Sequence, residues 1–421
     1  MSQLGNGKTH FDVAVIGGGP AGLLAAGRAA ELGAKVILVE KNRRLGRKLL
    51  ITGNRRCNIT QAIFNAREFV ENFGENGRFL FSSLAVFGVE ETIDFFQSRG
   101  LETKIERGGR VFPASDKAED VLNILTDYAT ENGVVIEYDS KVTDIEKQDN
   151  RIANLVLQKG KMAADCYIFC TGGKSFPGTG STGDGFGWSE KLGHSVTELS
   201  PALVPIKIEE KWVADLQGLG LKNVEMNIFQ HGKKQDSDFG ELLFTHFGVS
   251  GPIVLHKSKK VGQLLRQGEV KLSLDLKPAL DFTKLDRRLQ RDFEKYHNRA
   301  FKNCLDDLLP RKLIPVIVEL SGIEPFKQVN NITKEERRAL GRLLKGLEMT
   351  VSGLLGFGQA LITSGGIAIK EIDPKTMRSK LIDNLFFAGE IIDLDGPTGG
   401  YNLQVCWSTG YVAGESAAYY S

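Results

Sequence analysis

Gly17, Gly19 and Gly22, with Pro20 and Ala21 between them, have the spacing that lets a backbone turn tightly and aim N–H groups at a pyrophosphate. Glu40 follows where a carboxylate could accept both hydroxyls of an adenosine ribose. Three side chains elsewhere invite a chemical role. Cys57, beside Arg55 and Arg56, could be an activated thiolate. His246, in Phe244-Thr-His-Phe-Gly248, could donate or accept a proton, and Tyr401 in a glycine turn could do the same. Each has a plainer reading: a buried or cofactor-contacting thiol, a satisfied core histidine, and an aromatic pocket wall.

The elements that must hold these residues can be read around them. Phe11-Asp-Val-Ala-Val-Ile16 runs directly into the glycines, a helix of small residues follows, and Lys35-Val-Ile-Leu-Val39 ends on Glu40. Strand, helix and acid in register make a complete dinucleotide-binding βαβ unit, a far more specific signal than glycines alone. Helices are expected over 89–98 and 117–131. Three strand-like stretches, 134–138, 152–158 and 166–170, read as an antiparallel meander attached to a parallel sheet. Gly178, Gly180 and Gly183 repeat the dinucleotide spacing, but well past the strand end and with no acid-terminated strand after them. They read as a loop beside the first cofactor, not as an NADPH site. Leu385-Phe-Phe-Ala-Gly-Glu390 is an apolar strand ending on a carboxylate suited to a ribityl chain. Gly396-Pro-Thr-Gly-Gly-Tyr-Asn-Leu-Gln404 leads into a helix over 405–417.

With 421 residues and 41% hydrophobic content the chain can bury two or three cores. The discontinuous first domain is expected over 1–200 and 359–421. Residues 201–358 form an insert, β-rich over about 201–280 and 348–358 and helical over about 281–347. The formal charge of +2 gives no electrostatic case for nucleic acid. Five cysteines without paired spacing argue against disulfides, a dithiol relay or a metal site. A polar N-terminus and the lack of a long apolar run predict a soluble, cytoplasmic protein.

Several long motifs in order resemble a bacterial family of two-dinucleotide-binding FAD flavoproteins whose members are described as aminoacetone oxidases and dehydro-bile-acid reductases. They are the N-terminal glycine turn, Gly46-Arg-Lys48 with Thr52-Gly-Asn-Arg-Arg-Cys-Asn58, Thr171-Gly-Gly-Lys-Ser175 with Thr182-Gly-Asp-Gly185, Leu243 to Pro252, and Ala388-Gly-Glu390 through Gln404. The resemblance covers essentially the whole chain. It implies an α/β fold: a Rossmann-like FAD-binding domain of glutathione-reductase type, with an inserted β-rich domain and a helical sub-insertion, the insert as a whole roofing the flavin. It also implies non-covalent FAD. Glu40 would bind the adenosine ribose, Gly17 to Gly22 the pyrophosphate, Lys48 and Asn58 the middle of FAD, Glu390 the ribityl chain, and Gly400, Tyr401 and Asn402 the isoalloxazine edge. Lys41, Thr52, Gly53, Thr171, Gly172, Gly173 and Gly389 would also touch the cofactor. One departure stands out: Arg55 occupies a position normally glycine, and arginine lacks glycine's freedom at positive φ.

The activity expected is hydride exchange at flavin N5 with a small organic substrate, in a reductase linked to NAD(P)H as possible co-substrate. The alternatives are an aminoacetone-type amine oxidase using oxygen, a tRNA-modifying flavoprotein, and a non-catalytic FAD-binding protein. The expected partner is a small molecule, with neither nucleic acid nor membrane; the sequence does not fix the oligomeric state.

Overall fold

The computed structural model describes residues 10–421, which divide into two compact units, residues 10–201 with 357–421, and Ala202–Gly356. The first is built on a five-stranded parallel sheet. Its strand order is Leu385–Phe387, Ala164–Phe169, Phe11–Ile16, Val36–Val39 and Val135–Glu137. Parallel strands covered on both faces need unbroken apolar runs. Four of the five segments come close, interrupted only by part-exposed Asp12 and Asp165, with nearly every other residue buried. The helices Pro20–Glu31 and Tyr401–Tyr420 pack closely together. A Cβ on Gly414 would stand 2.3 Å from the Ala25 carbonyl oxygen, so the small residues of both helices set this approach.

The meander differs from the sequence expectation. Residues 134–138 and 166–170 contribute strands to the parallel sheet, as its edge and its second strand. The antiparallel meander is instead Val142–Gln148, Arg151–Leu157 and Gly160–Met162. A second small sheet pairs Thr60–Gln61 and Thr103–Glu106 with Arg110–Pro113 between them.

The second unit is a closed six-stranded barrel, ordered Ile206–Ile208, Gly248–Ser250, Lys233–Thr245, Gly220–Gln230, Val270–Asp275 and Leu347–Leu354. Between its last two strands the chain inserts the helices Phe282–Lys295, Ile314–Ser321 and Lys334–Lys345. The fold is thus a Rossmann-type domain with an inserted β-rich domain and a helical sub-insertion. Among the described residues, no helix is long and apolar enough to cross a membrane.

Candidate cofactor and active site

The glycine turn closes the first strand against its neighbours. Gly17 has φ +106°, and a Cβ there would lie 2.5 Å from the Cys170 carbonyl oxygen, so no side chain fits. Gly22 lies in the helix, outside the cleft lining, where its missing Cβ lets helix and strand meet: the added atom would be 1.9 Å from the Gly17 oxygen. The helix begins after Gly19 with Pro20 in its first turn and no side-chain cap. Its leading N–H groups and the positive end of its dipole are left for an anion.

Glu40 is buried at the end of Val36–Val39. Its Oε2 accepts the Gly18 N–H at 2.7 Å, and its Oε1 accepts the Asn42 N–H at 2.8 Å and Asn42 Nδ2 at 2.6 Å. Three donors leave part of the carboxylate's accepting capacity for a ribose hydroxyl. Lys41 turns to Asp184, 2.8 Å away, and to Thr182 Oγ1 at 2.6 Å. This ties the 178–185 loop to the nucleotide end, and Thr179, Gly180 and Ser181 line the same cleft.

Further along, Lys48 Nζ and Glu390 Oε2 pair at 2.7 Å. Glu390 Oε1 accepts the Thr363 N–H at 2.9 Å, so three distant segments converge on one carboxylate. Thr171 Oγ1 is buried there without a hydrogen-bond partner. Together these residues line one cleft of about 1330 Å³, open to solvent and contained within the first unit. Gly17, Gly19, Pro20, Ala21, Glu40, Lys41, Lys48, Thr52, Thr171, Gly172, Gly389, Glu390 and Asn402 all face it. Gly53, Asn58, Gly173, Gly400 and Tyr401 stand outside its lining. An uncapped helix end, a nearly saturated acid, a backbone without Cβ atoms and an orphaned hydroxyl fit an adenine dinucleotide.

Residues 11–416 match the family model described as HI0933-like protein Rossmann domain. The chain belongs to the HI0933-like family. The 3-dehydro-bile acid Δ(4,6)-reductase of Clostridium scindens is 32% identical over 409 residues, 96% of this chain and 98% of that one. The ribosomal RNA dihydrouridine synthase of Haemophilus influenzae is 31% identical over 402 residues, 94% and 96% of the two chains. In fold, the chain is similar to 3-ketosteroid Δ1-dehydrogenase from Sterolibacterium denitrificans, with a TM-score of 0.55 at 12% identity over 98% of this chain and 100% of that one. The chain is an FAD-dependent oxidoreductase.

The thiolate reading of Cys57 does not survive the geometry. Cys57 is fully buried, and burial pushes its thiol up to about 12, only partly offset by a hydrogen bond with Thr52. Arg56 is engaged elsewhere, with Glu106, with Asp116 and over the Phe112 ring. What the segment does show is strain. Gly53, Asn54, Arg55 and Cys57 all have positive φ, Arg55 at +68°. Each non-glycine residue there costs about 1–2 kcal/mol, and the Arg56 anchors help hold the loop. Cys57→Ser is therefore expected to lower stability by about 1–2 kcal/mol while leaving flavin reduction and turnover unchanged. A tenfold or greater loss of turnover at full FAD content would reinstate the thiol.

Tyr401 is likewise displaced from a proton-transfer role in this structure. Its ring is buried against Phe69 at 5.2 Å and Phe73 at 6.2 Å between centroids, and burial raises its phenol above the usual range. Asn402 binds the N–H and carbonyl of Gly396 and the Pro397 carbonyl, fixing the turn before the last helix. His246 lies in the second unit, exposed on the turn between Lys233–Thr245 and Gly248–Ser250. Sequence reasoning missed Gln404 as a structural hub. Fully buried, it accepts from Thr60 Oγ1 at 2.6 Å and donates to the Gly88 carbonyl, Thr92 and Ser408. A glutamine set among Leu403, Val405 and Trp407 near the start of the last helix was the signal available.

Proposed function

We propose that the protein reduces a carbon–carbon double bond conjugated to a carbonyl, with electrons drawn from NADH or NADPH. One observation carries this: two near-full-length relatives with unrelated substrates are named for the same kind of transformation. A 3-dehydro bile acid with Δ4 unsaturation is a conjugated enone, and dihydrouridine is uridine saturated at the ring double bond next to a carbonyl. FAD, when bound, supplies hydride chemistry at its N5. The chain's part is to hold the pyrophosphate at the uncapped Pro20–Glu31 helix, the ribose at Glu40 and the polyol beside Glu390. Reductant and acceptor take turns at one site. Hydride addition to one carbon of the double bond calls for a proton on its neighbour, and His246 is the candidate donor.

The test is anaerobic mixing of FAD-loaded protein with NADH, NADPH or aminoacetone, each alone, followed at roughly 450 nm. Bleaching by a nicotinamide, then recolouring by a 3-keto-Δ4 steroid or by uridine-containing RNA, is the expected result. Bleaching by the amine alone, or recolouring by oxygen alone, would sink the proposal.

A further inference from the structure

The near-neutral chain hides an uneven charge distribution. Residues 281–347 hold 15 Lys and Arg against 10 Asp and Glu, whereas the remainder holds 39 against 42. On the helix Phe282–Lys295, the cations Lys284, Arg287, Arg288, Arg291 and Lys295 recur at helical spacing along one side. Leu285, Leu289 and Phe293 are buried on the other. The helix Lys334–Lys345 packs against it and adds exposed Arg338 and Arg342, while Arg337 meets Asp286 of the first helix at 2.9 Å. Some of these cations are satisfied locally: Lys284 by Asp281, Arg288 by Asp292 and Lys295 by Asp307. Exposed Glu294 and Glu335 flank the surface. Arg287, Arg338 and Arg342 make no ion pair among the described residues and are left pointing charge at solvent.

The same sub-insertion also carries aromatic rings. Lys295 and Arg299 stand 4.8 and 4.6 Å from the Tyr296 ring centroid. Lys302 stands 3.8 Å from that of Phe326, a phenylalanine 68% exposed. A basic surface is common on its own, but exposed cations together with an exposed ring carrying an ammonium match what a nucleic-acid strand offers: phosphates to pair and bases to stack.

We propose that this helical sub-insertion is a docking surface for an RNA strand, the form in which a uridine double bond is presented; this rests on the functional reading above. Phosphates engage Arg287, Arg338 and Arg342, and a base stacks on Phe326. The experiment uses full-length, FAD-loaded protein and a fluorescent single-stranded RNA of about 20 nucleotides, titrated across salt concentration. Two variants accompany it: the triple Arg287→Glu, Arg338→Glu, Arg342→Glu, and Phe326→Ala. The wild type is expected to bind with a steep salt dependence. The triple variant should bind about a hundredfold more weakly, with the log–log salt slope reduced by about two, and Phe326→Ala roughly tenfold more weakly. Both should keep FAD and reduce a free 3-keto-Δ4 steroid as fast as the wild type, which controls for folding. Absent RNA binding by the wild type, or equal binding by the triple variant, overturns the proposal. So does equally tight binding of polyglutamate or phosphatidylserine vesicles. If the steroid is reduced without RNA binding, this surface fails and the functional reading stands. If RNA binds through these arginines and no double bond is reduced, the functional reading fails and the surface stands.

Discussion

Glu40→Ala is expected to purify as a folded protein nearly free of flavin. On the proposed reading, its carboxylate serves the protein and the cofactor at once. It locks the glycine turn through the Gly18 N–H and the following turn through Asn42, and its remaining capacity faces the cleft. Hydrogen bonds to a charged group contribute about 1.5–3 kcal/mol each. Losing the ribose contact and loosening two cleft walls together should weaken FAD binding by roughly 100- to 1000-fold. Folding should survive, because the orphaned N–H groups border an open cleft where water can replace the carboxylate. Glu40→Gln separates charge from shape: its amide nitrogen would place a donor against the N–H of Gly18 or Asn42, so it should also lose flavin. The ratio of flavin to protein absorbance on purification, with titration of FAD into the apoprotein, gives the answer. Retention of a full complement of flavin by the alanine variant would remove Glu40 from the cofactor site.

The sequence was informative where the chemistry is local. Strand, glycine turn, helix and acid lie within thirty residues of one another, and their spacing is itself the geometry. It was less informative where distant segments meet. The contacts of Lys48 with Glu390 and of Thr60 with Gln404 span more than 300 residues, and no periodicity encodes them. The misassigned meander has the same cause. Alternation and apolar runs reveal that a stretch is extended, not which strand it pairs with. A usable distinction was present, because the parallel strand Ala164–Phe169 is almost wholly buried, whereas Val142–Gln148 in the true meander carries Asp144, Glu146 and Lys147. Cys57 shows a different limit: neighbouring arginines suggested a stabilised thiolate, but burial decides the matter and burial is not written in neighbours. The charge of the helical sub-insertion was legible in principle and was hidden by summing over the whole chain.

His246→Ala is expected to leave the nicotinamide half-reaction intact and to slow reoxidation by the unsaturated substrate by about 100-fold or more. Reducing an activated double bond needs a proton as well as a hydride, and the three side chains that sequence patterns put forward for that role are not equivalent. The thiol of Cys57 is sealed in the core with its proton held tightly, and the phenol of Tyr401 is packed between two phenylalanines with its acidity weakened. His246 is exposed, with its ring edge-on to Phe247 at 4.9 Å, which orients the imidazole while leaving it accessible. A loss confined to one half-reaction distinguishes proton delivery from damage to the fold, which would disturb FAD content and both halves together. Partial rescue by added imidazole would follow from the same role. Unchanged rates in both half-reactions at full FAD content would leave water or another side chain to supply the proton.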